Sequence, residues 1–189
     1  MFWAACLVAF FTFFRKSTLV PKHCNKHDCS RELCRKDIIF NETGAVIRVK
    51  HTKTLQHFDR DLLVPLPIIQ GNVLCPIAAV KTMLSNVLQD PSDPLFMYSV
   101  AGQKVALTHY TFSKALSVAL NQIGLNSQQY SGHSFRRGGA SFAAKCGIPI
   151  NIIKTQGDWK SNAVECYLST PLNVRIECVN TLRRSILKG

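Results

Sequence analysis

Acidic residues are scarce in this chain. Asp and Glu number 11 against 23 Lys and Arg, which leaves a formal net charge of +12. A surplus that large in a small chain is the electrostatic footprint of a nucleic-acid binder. Long hydrophobic runs are also missing. The longest, MFWAACLVAFFTFF at positions 1–14, would span about 21 Å as a helix against about 30 Å of bilayer hydrocarbon. It is too short to cross a membrane comfortably. No basic stretch precedes it, the pair Arg15-Lys16 follows it, and no small-residue cleavage site comes after, so it does not read as a secretory signal. No basic amphipathic helix marks a membrane-surface binder. Internal repeats and low-complexity segments are absent. Cysteine is present, but the residues are scattered, several lie within apolar helical runs, and nothing marks a secreted chain, so no disulfide framework is expected.

What is there fits one globular domain. The chain has 189 residues and 47% hydrophobic content, enough to bury a sizeable core. The apolar start reads as a helix buried all round inside that domain. A domain that opens inside a buried helix suggests upstream sequence. Residues 36–40 and 45–51 read as a hairpin around the turn Asn41-Glu42-Thr43-Gly44, because Ala45, Ile47 and Val49 alternate with Val46, Arg48 and Lys50. Leu62–Leu66 reads as the next strand, an edge strand given Pro65. Pro76 is placed to start a helix over 77–88, and Thr108 or Thr111 to cap one ending at Ile123 before Gly124. Residues 95–98 read as a short extended piece, and 172–187 as a final helix. The fold class is α+β, with a small antiparallel sheet among helices.

The stretch 131–168, SGHSFRRGGASFAAKCGIPINIIKTQGDWKSNAVECYL, concentrates the chemistry. His133 and Arg136 stand three apart, on one face of a helix. Gly138 and Gly139 follow, where a backbone can approach closely. A short helix led by Pro149 comes next, then a turn at Gly157-Asp158-Trp159. Ser161 is placed as N-cap of a last short helix that carries Tyr167. A cation pair and a tyrosine, joined by two turns, suit attack on a phosphodiester.

This ordered set resembles the C-terminal box of tyrosine recombinases, the phage-integrase-like family, and most resembles integrases of eukaryotic mobile elements. The family pattern runs histidine, two residues, arginine, then glycine followed by histidine or tryptophan, then tyrosine. Here Asp158 directly follows Gly157 and Trp159 comes one place later. Trp159 is taken to fill the position, since indole can donate a hydrogen bond to phosphate. The resemblance further implies a first arginine at the end of a buried helix, matched by Arg15 before Ser17-Thr18-Leu19. It implies a lysine between two strands, matched by Lys53 in Thr52-Lys53-Thr54. It covers residues 1–189 as the catalytic domain alone, a mainly helical fold with a small sheet, and leaves an upstream helical DNA-clasping domain to be supplied.

The resemblance also implies a mechanism. Arg15 and Arg136 clamp the phosphate oxygens with planar forks that stay charged. Tyr167 attacks phosphorus, His133 assists its proton transfer, and Lys53 protonates the leaving 5′-oxygen. No metal or other cofactor is implied. The partner is double-stranded DNA, with self-association on it, and the location intracellular, nuclear in a eukaryote. A type IB topoisomerase or a non-catalytic DNA-binding remnant of a mobile element are the alternatives. Outside this set, residues 21–35 hold His23, Cys24, His27, Cys29 and Cys34. Their spacing matches no standard zinc pattern, and both a structural zinc site and a surface insertion stay open.

Overall fold

Helix α1 (Phe2–Thr12) is the axis on which the other elements pack. Its residues Ala4 to Ala9 are all buried, as the unbroken apolar run predicts. Thr12, buried near its end, stays satisfied because its Oγ1 donates to the Val8 carbonyl at 2.7 Å. The computed structural model describes residues 1–24, 26–51, 61–88, 90–167, 176, 179–181, 183–184 and 186–187. Among them no helix is long and apolar enough to cross a membrane.

After α1 the chain turns at Phe13, whose φ of 55° is left-handed, and enters α2 (Lys16–Leu19) with Arg15 at its N-cap. A polar loop then leads to β1 (Ile38–Asn41), β2 (Gly44–Val49) and β3 (Leu62–Pro67), an antiparallel sheet in the order β1-β2-β3. The hairpin closes through Glu42-Thr43, with Asn41 opposite Gly44. Ala45, Ile47 and Val49 point into the core beside Val64 and Leu66 of β3. Pro65 lies on β3, which among the described residues pairs on one side only, as an edge strand does. Beneath this sheet Asp37 is wholly buried. Lys50 Nζ meets it at 2.7 Å, Arg48 Nη2 at 3.3 Å, and it accepts the Cys34 N–H at 2.8 Å. A charge with three donors is a tolerable burial, whereas one without them would not be.

Helix α3 (Pro76–Asn86) begins at Pro76 with Cys75 as N-cap. A second hairpin follows, β4 (Met97–Val100) with β5 (Gln103–Ala106). From the sequence only a short extended piece over 95–98 is expected. The turn Ala101-Gly102 has φ values of 50° and 81°, the geometry that hairpins usually fill with Asn-Gly. Alanine at the first position hid the signal. Helix α4 (His109–Gln122) carries a reciprocal cap between Thr108 and Thr111. Helices α5 (Gly132–Lys145) and α6 (Ile150–Gln156) and a 3-10 turn over Asn162–Tyr167 complete the described chain up to Tyr167. Described residues between 176 and 186 are helical.

Two hydrophobic clusters result. The larger joins α1, the three-stranded sheet, α3 and α4, with Val8, Ile47, Val64, Val80 and Phe112 at its centre. The smaller contains Phe13, Ala140, Ile153, Trp159 and Val164.

Candidate active site

The smaller cluster is built almost entirely from the 131–168 window; it contains Trp159, on which Arg136 stacks. Ser131 starts α5: its hydroxyl accepts the His133 N–H at 3.2 Å, and Ser134 Oγ accepts the Ser131 N–H at 3.0 Å. That reciprocal cap fixes where the helix begins and so places His133 and Arg136 in its first turns. Gly139, further along α5, lies against α1. A Cβ there would run into the Phe10 carbonyl and stand 2.7 Å from the Phe13 ring. Gly138 has no such neighbour, so of the two glycines only Gly139 is required by a close approach.

The two motif residues lie at different depths. His133 is exposed, whereas Arg136 is 1% exposed, the largest fully buried side chain described. Arg136 Nη1 donates to the Phe13 carbonyl and, at 2.7 Å, to the Gly157 carbonyl. Its guanidinium carbon lies 3.5 Å from the centroid of the Trp159 ring, a cation–π stack in a water-poor setting. Phe13 closes the far side, its ring centroid 6.1 Å from that of Trp159.

Two strained turns aim those carbonyls. Phe13 has φ 55° and Asp158, directly after Gly157, has φ 52°. Left-handed backbone in residues other than glycine costs about 1–3 kcal/mol at each position and persists where surroundings over-determine it. Here one strained residue, Phe13, supplies an acceptor of Arg136 and the other, Asp158, directly follows one. Asp is among the few side chains that enter this region readily, which gives Asp158 its place in the turn. Gly157 is required for another reason: a Cβ there would fall on the Trp159 ring. So Gly157 and Asp158 shape the turn, and Trp159 covers the arginine.

Arg15 sits at the N-cap of α2, two residues beyond Phe13, and is half-buried. Its charge reaches His133. Desolvation first, then the positive charges of Arg136, Arg137 and Arg15, hold the His133 imidazole below its ordinary pKa. His133 is therefore kept neutral near pH 7, the form that accepts a proton. Arg136 and Trp159 are thus one packing unit, and the charges of Arg136 and Arg15 act on His133. Lys53 lies outside the described residues. Tyr167 ends the 3-10 turn, and its side chain lies outside the described set. The turn itself is anchored by Val164, fully buried in the same cluster as Trp159. Phe13 went unmarked by the sequence reading. A phenylalanine in an apolar run gives no sign of a left-handed φ, although its position two residues before Arg15 is a usable hint.

In the polar loop, His27 meets Glu32 and Cys34. Among the described residues no group of three or more His, Cys, Asp or Glu side chains is arranged to hold a metal.

No protein-family model matches the chain, and no curated protein matches its sequence. Solved structures do match it. XerH site-specific recombinase bound to difH substrate in a pre-cleavage complex superposes with a TM-score of 0.64 at 16% identity, over 93% of this chain and 45% of that one. The post-cleavage complex of XerH with palindromic difH gives 0.63 at 16%, over 95% and 45%. XerA recombinase gives 0.65 at 19%, over 96% and 56%. The chain spans about half the length of these proteins. At such identities the likeness is one of fold alone: the α+β arrangement of helices and a small antiparallel sheet is shared with about half of each of these recombinases.

Proposed function

We propose that this chain cleaves and rejoins double-stranded DNA as the catalytic domain of a tyrosine-type recombinase or integrase of a mobile element. One observation carries the reading: Arg136 is held by the Gly157 carbonyl and stacked on Trp159, with His133 one helical turn before it on α5, in the fold of a site-specific recombinase solved with its substrate before and after cleavage. In this reading Tyr167 attacks a backbone phosphorus. The phenol, with a reference pKa of about 10, needs a base, and neutral His133 takes its proton. The bond from phosphorus to the 5′-oxygen breaks, and Lys53 protonates that oxygen. A 3′-phosphotyrosine remains, and the reverse attack by a 5′-hydroxyl rejoins the strand. Arg15 and Arg136 offset the charge that grows on the phosphate oxygens, as preorganised donors do. The net charge of +12 draws DNA to the domain.

A second reading has its own observation. Arg136 is buried against two carbonyls and an indole, as a structural arginine would be. That suits a DNA-binding domain that no longer cuts. Nicked duplexes of randomised sequence, incubated with the protein and resolved under denaturing conditions, separate the two. The proposal expects a covalent protein–DNA adduct that Tyr167→Phe abolishes while DNA binding survives. Binding with no adduct from the unmodified protein, or an adduct mapping to Tyr98, Tyr110 or Tyr130, overturns it.

A further inference from the structure

Cys29 and Cys34 lie in the loop between α2 and β1, in surroundings the proposed reaction does not use. Cys34 is wholly buried and Cys29 is partly exposed. Cys34 Sγ reaches the Cys29 carbonyl at 3.6 Å, which brings the two residues together. Cations surround the pair. Lys50 Nζ donates to the Cys29 carbonyl at 2.6 Å and lies 3.8 Å from Cys34 Sγ, and the charge of Lys36 also acts on the Cys29 thiol. A histidine stands against the buried member. His27 Nδ1 is 2.9 Å from Glu32 and its Nε2 is 3.3 Å from Cys34 Sγ.

We propose that Cys29 and Cys34 are a peroxide-sensitive dithiol, with Cys29 as the attacking thiolate and Cys34 as the resolving thiol. The roles follow from the surroundings. Desolvation alone would raise the Cys29 thiol, but hydrogen bonds from Cys34 and Lys36 and the charge of Lys50 outweigh it, and its pKa falls below the usual value. Burial, then the hydrogen bond to Cys29, pushes the Cys34 thiol up to about 12. A partly exposed thiolate beside lysines is the reactive kind, and a buried protonated thiol is inert until a base reaches it. His27 is that base. With Nδ1–H donated to Glu32, its Nε2 can take the Cys34 proton.

The chemistry balances in two steps. The Cys29 thiolate attacks one oxygen of hydrogen peroxide, the O–O bond breaks, and hydroxide leaves, giving a sulfenic acid. Cys34 sulfur, giving its proton to His27, then attacks the Cys29 sulfur. The S–O bond breaks, water departs with that proton, and a disulfide remains. Two thiols are oxidised, one peroxide is reduced, and overall two waters form.

The test uses the whole 189-residue chain, reduced and freed of metal with a chelator. One molar equivalent of hydrogen peroxide is added at neutral pH, remaining thiols are alkylated, and peptides are mapped by mass spectrometry. A bond between Cys29 and Cys34, with loss of two hydrogens, forms before Cys24, Cys146 or Cys166 is modified, although those three are more exposed. In Cys34→Ser the Cys29 sulfenic acid accumulates and is trapped by a dione probe. His27→Ala slows closure of the disulfide severalfold without slowing the first step. Oxidation that follows exposure, with Cys24, Cys146 and Cys166 reacting first, overturns the proposal. So does one tightly held zinc per chain that Cys29→Ser releases. Iodoacetamide labelling of the unmodified protein gives a second reading that needs no variant: Cys29 must label fastest.

Discussion

The two hydrophobic clusters differ in how they are made. The larger rests on repeating patterns. An apolar helix, an alternating sheet face and two capped helices each present a stripe or a face, and these meet around Val8, Ile47 and Phe112. The smaller rests on single placements: a left-handed Phe13, a glycine under an indole, and an arginine held by two carbonyls. Its centre is a charge. The difference teaches that this domain keeps stability and site geometry in separate places, with α1 and Phe13 as the hinge between them.

Substitutions can break that division. Phe112→Ala is the largest expected effect. The residue is fully buried, its ring near those of Phe2 and Phe135 at 5.4 and 6.0 Å. Truncation should cost about 3–5 kcal/mol and lower the urea midpoint of the whole chain. An unchanged midpoint would mean that the larger cluster does not carry global stability.

Gly157→Ala comes next. Its methyl group would be driven into the Trp159 ring. Overpacking of this kind costs about 1–3 kcal/mol, and here it is paid locally. In a Trp3→Phe background, which leaves Trp159 as the sole tryptophan of the two, emission should shift to the red well before global unfolding in urea. A single transition shared by fluorescence and far-ultraviolet dichroism would show that the clusters unfold as one.

The smallest effect is electrostatic. His133 has a depressed pKa, so the unfolded chain binds its proton more readily than the folded one. Its contribution to stability is full above about pH 6.5, the ordinary histidine value. It is lost as pH falls through the lower folded value. Arg137→Gln removes one of the repelling charges. The His133 midpoint, read by NMR, should rise and the acid loss should shrink. His109 is also depressed, by desolvation and then Lys16, with no part played by Arg137, and should stay where it is. Movement of both midpoints together would point to a general change in the fold.

The larger cluster was the more readable. The hairpin at Asn41–Gly44, the edge strand at Pro65 and the helix start at Pro76 each follow from a local rule and are present, and of the two candidate caps, Thr108 and Thr111, the helix takes Thr108. The second hairpin was not readable, because alanine stands where asparagine would have announced the turn. In the smaller cluster the residues of the 131–168 window could be named, yet the depth of Arg136 could not. Helical spacing puts His133 and Arg136 on one face, but how far each is buried depends on a carbonyl 123 residues earlier in the chain. The ion pair of Lys50 with Asp37 escaped for the same reason, since charge alternation on a strand does not disclose a buried partner.

That 123-residue separation has a consequence for biosynthesis. During translation α1 leaves the ribosome well before the residues that cover Phe11 and Phe13, namely Gln156, Arg136 and Trp159. Closing so long a loop is slow, and contacts of this span are formed late in folding. Until then the apolar face that Gly139 will meet is open to other chains, so the nascent protein carries α1 unshielded while the 123 intervening residues are made.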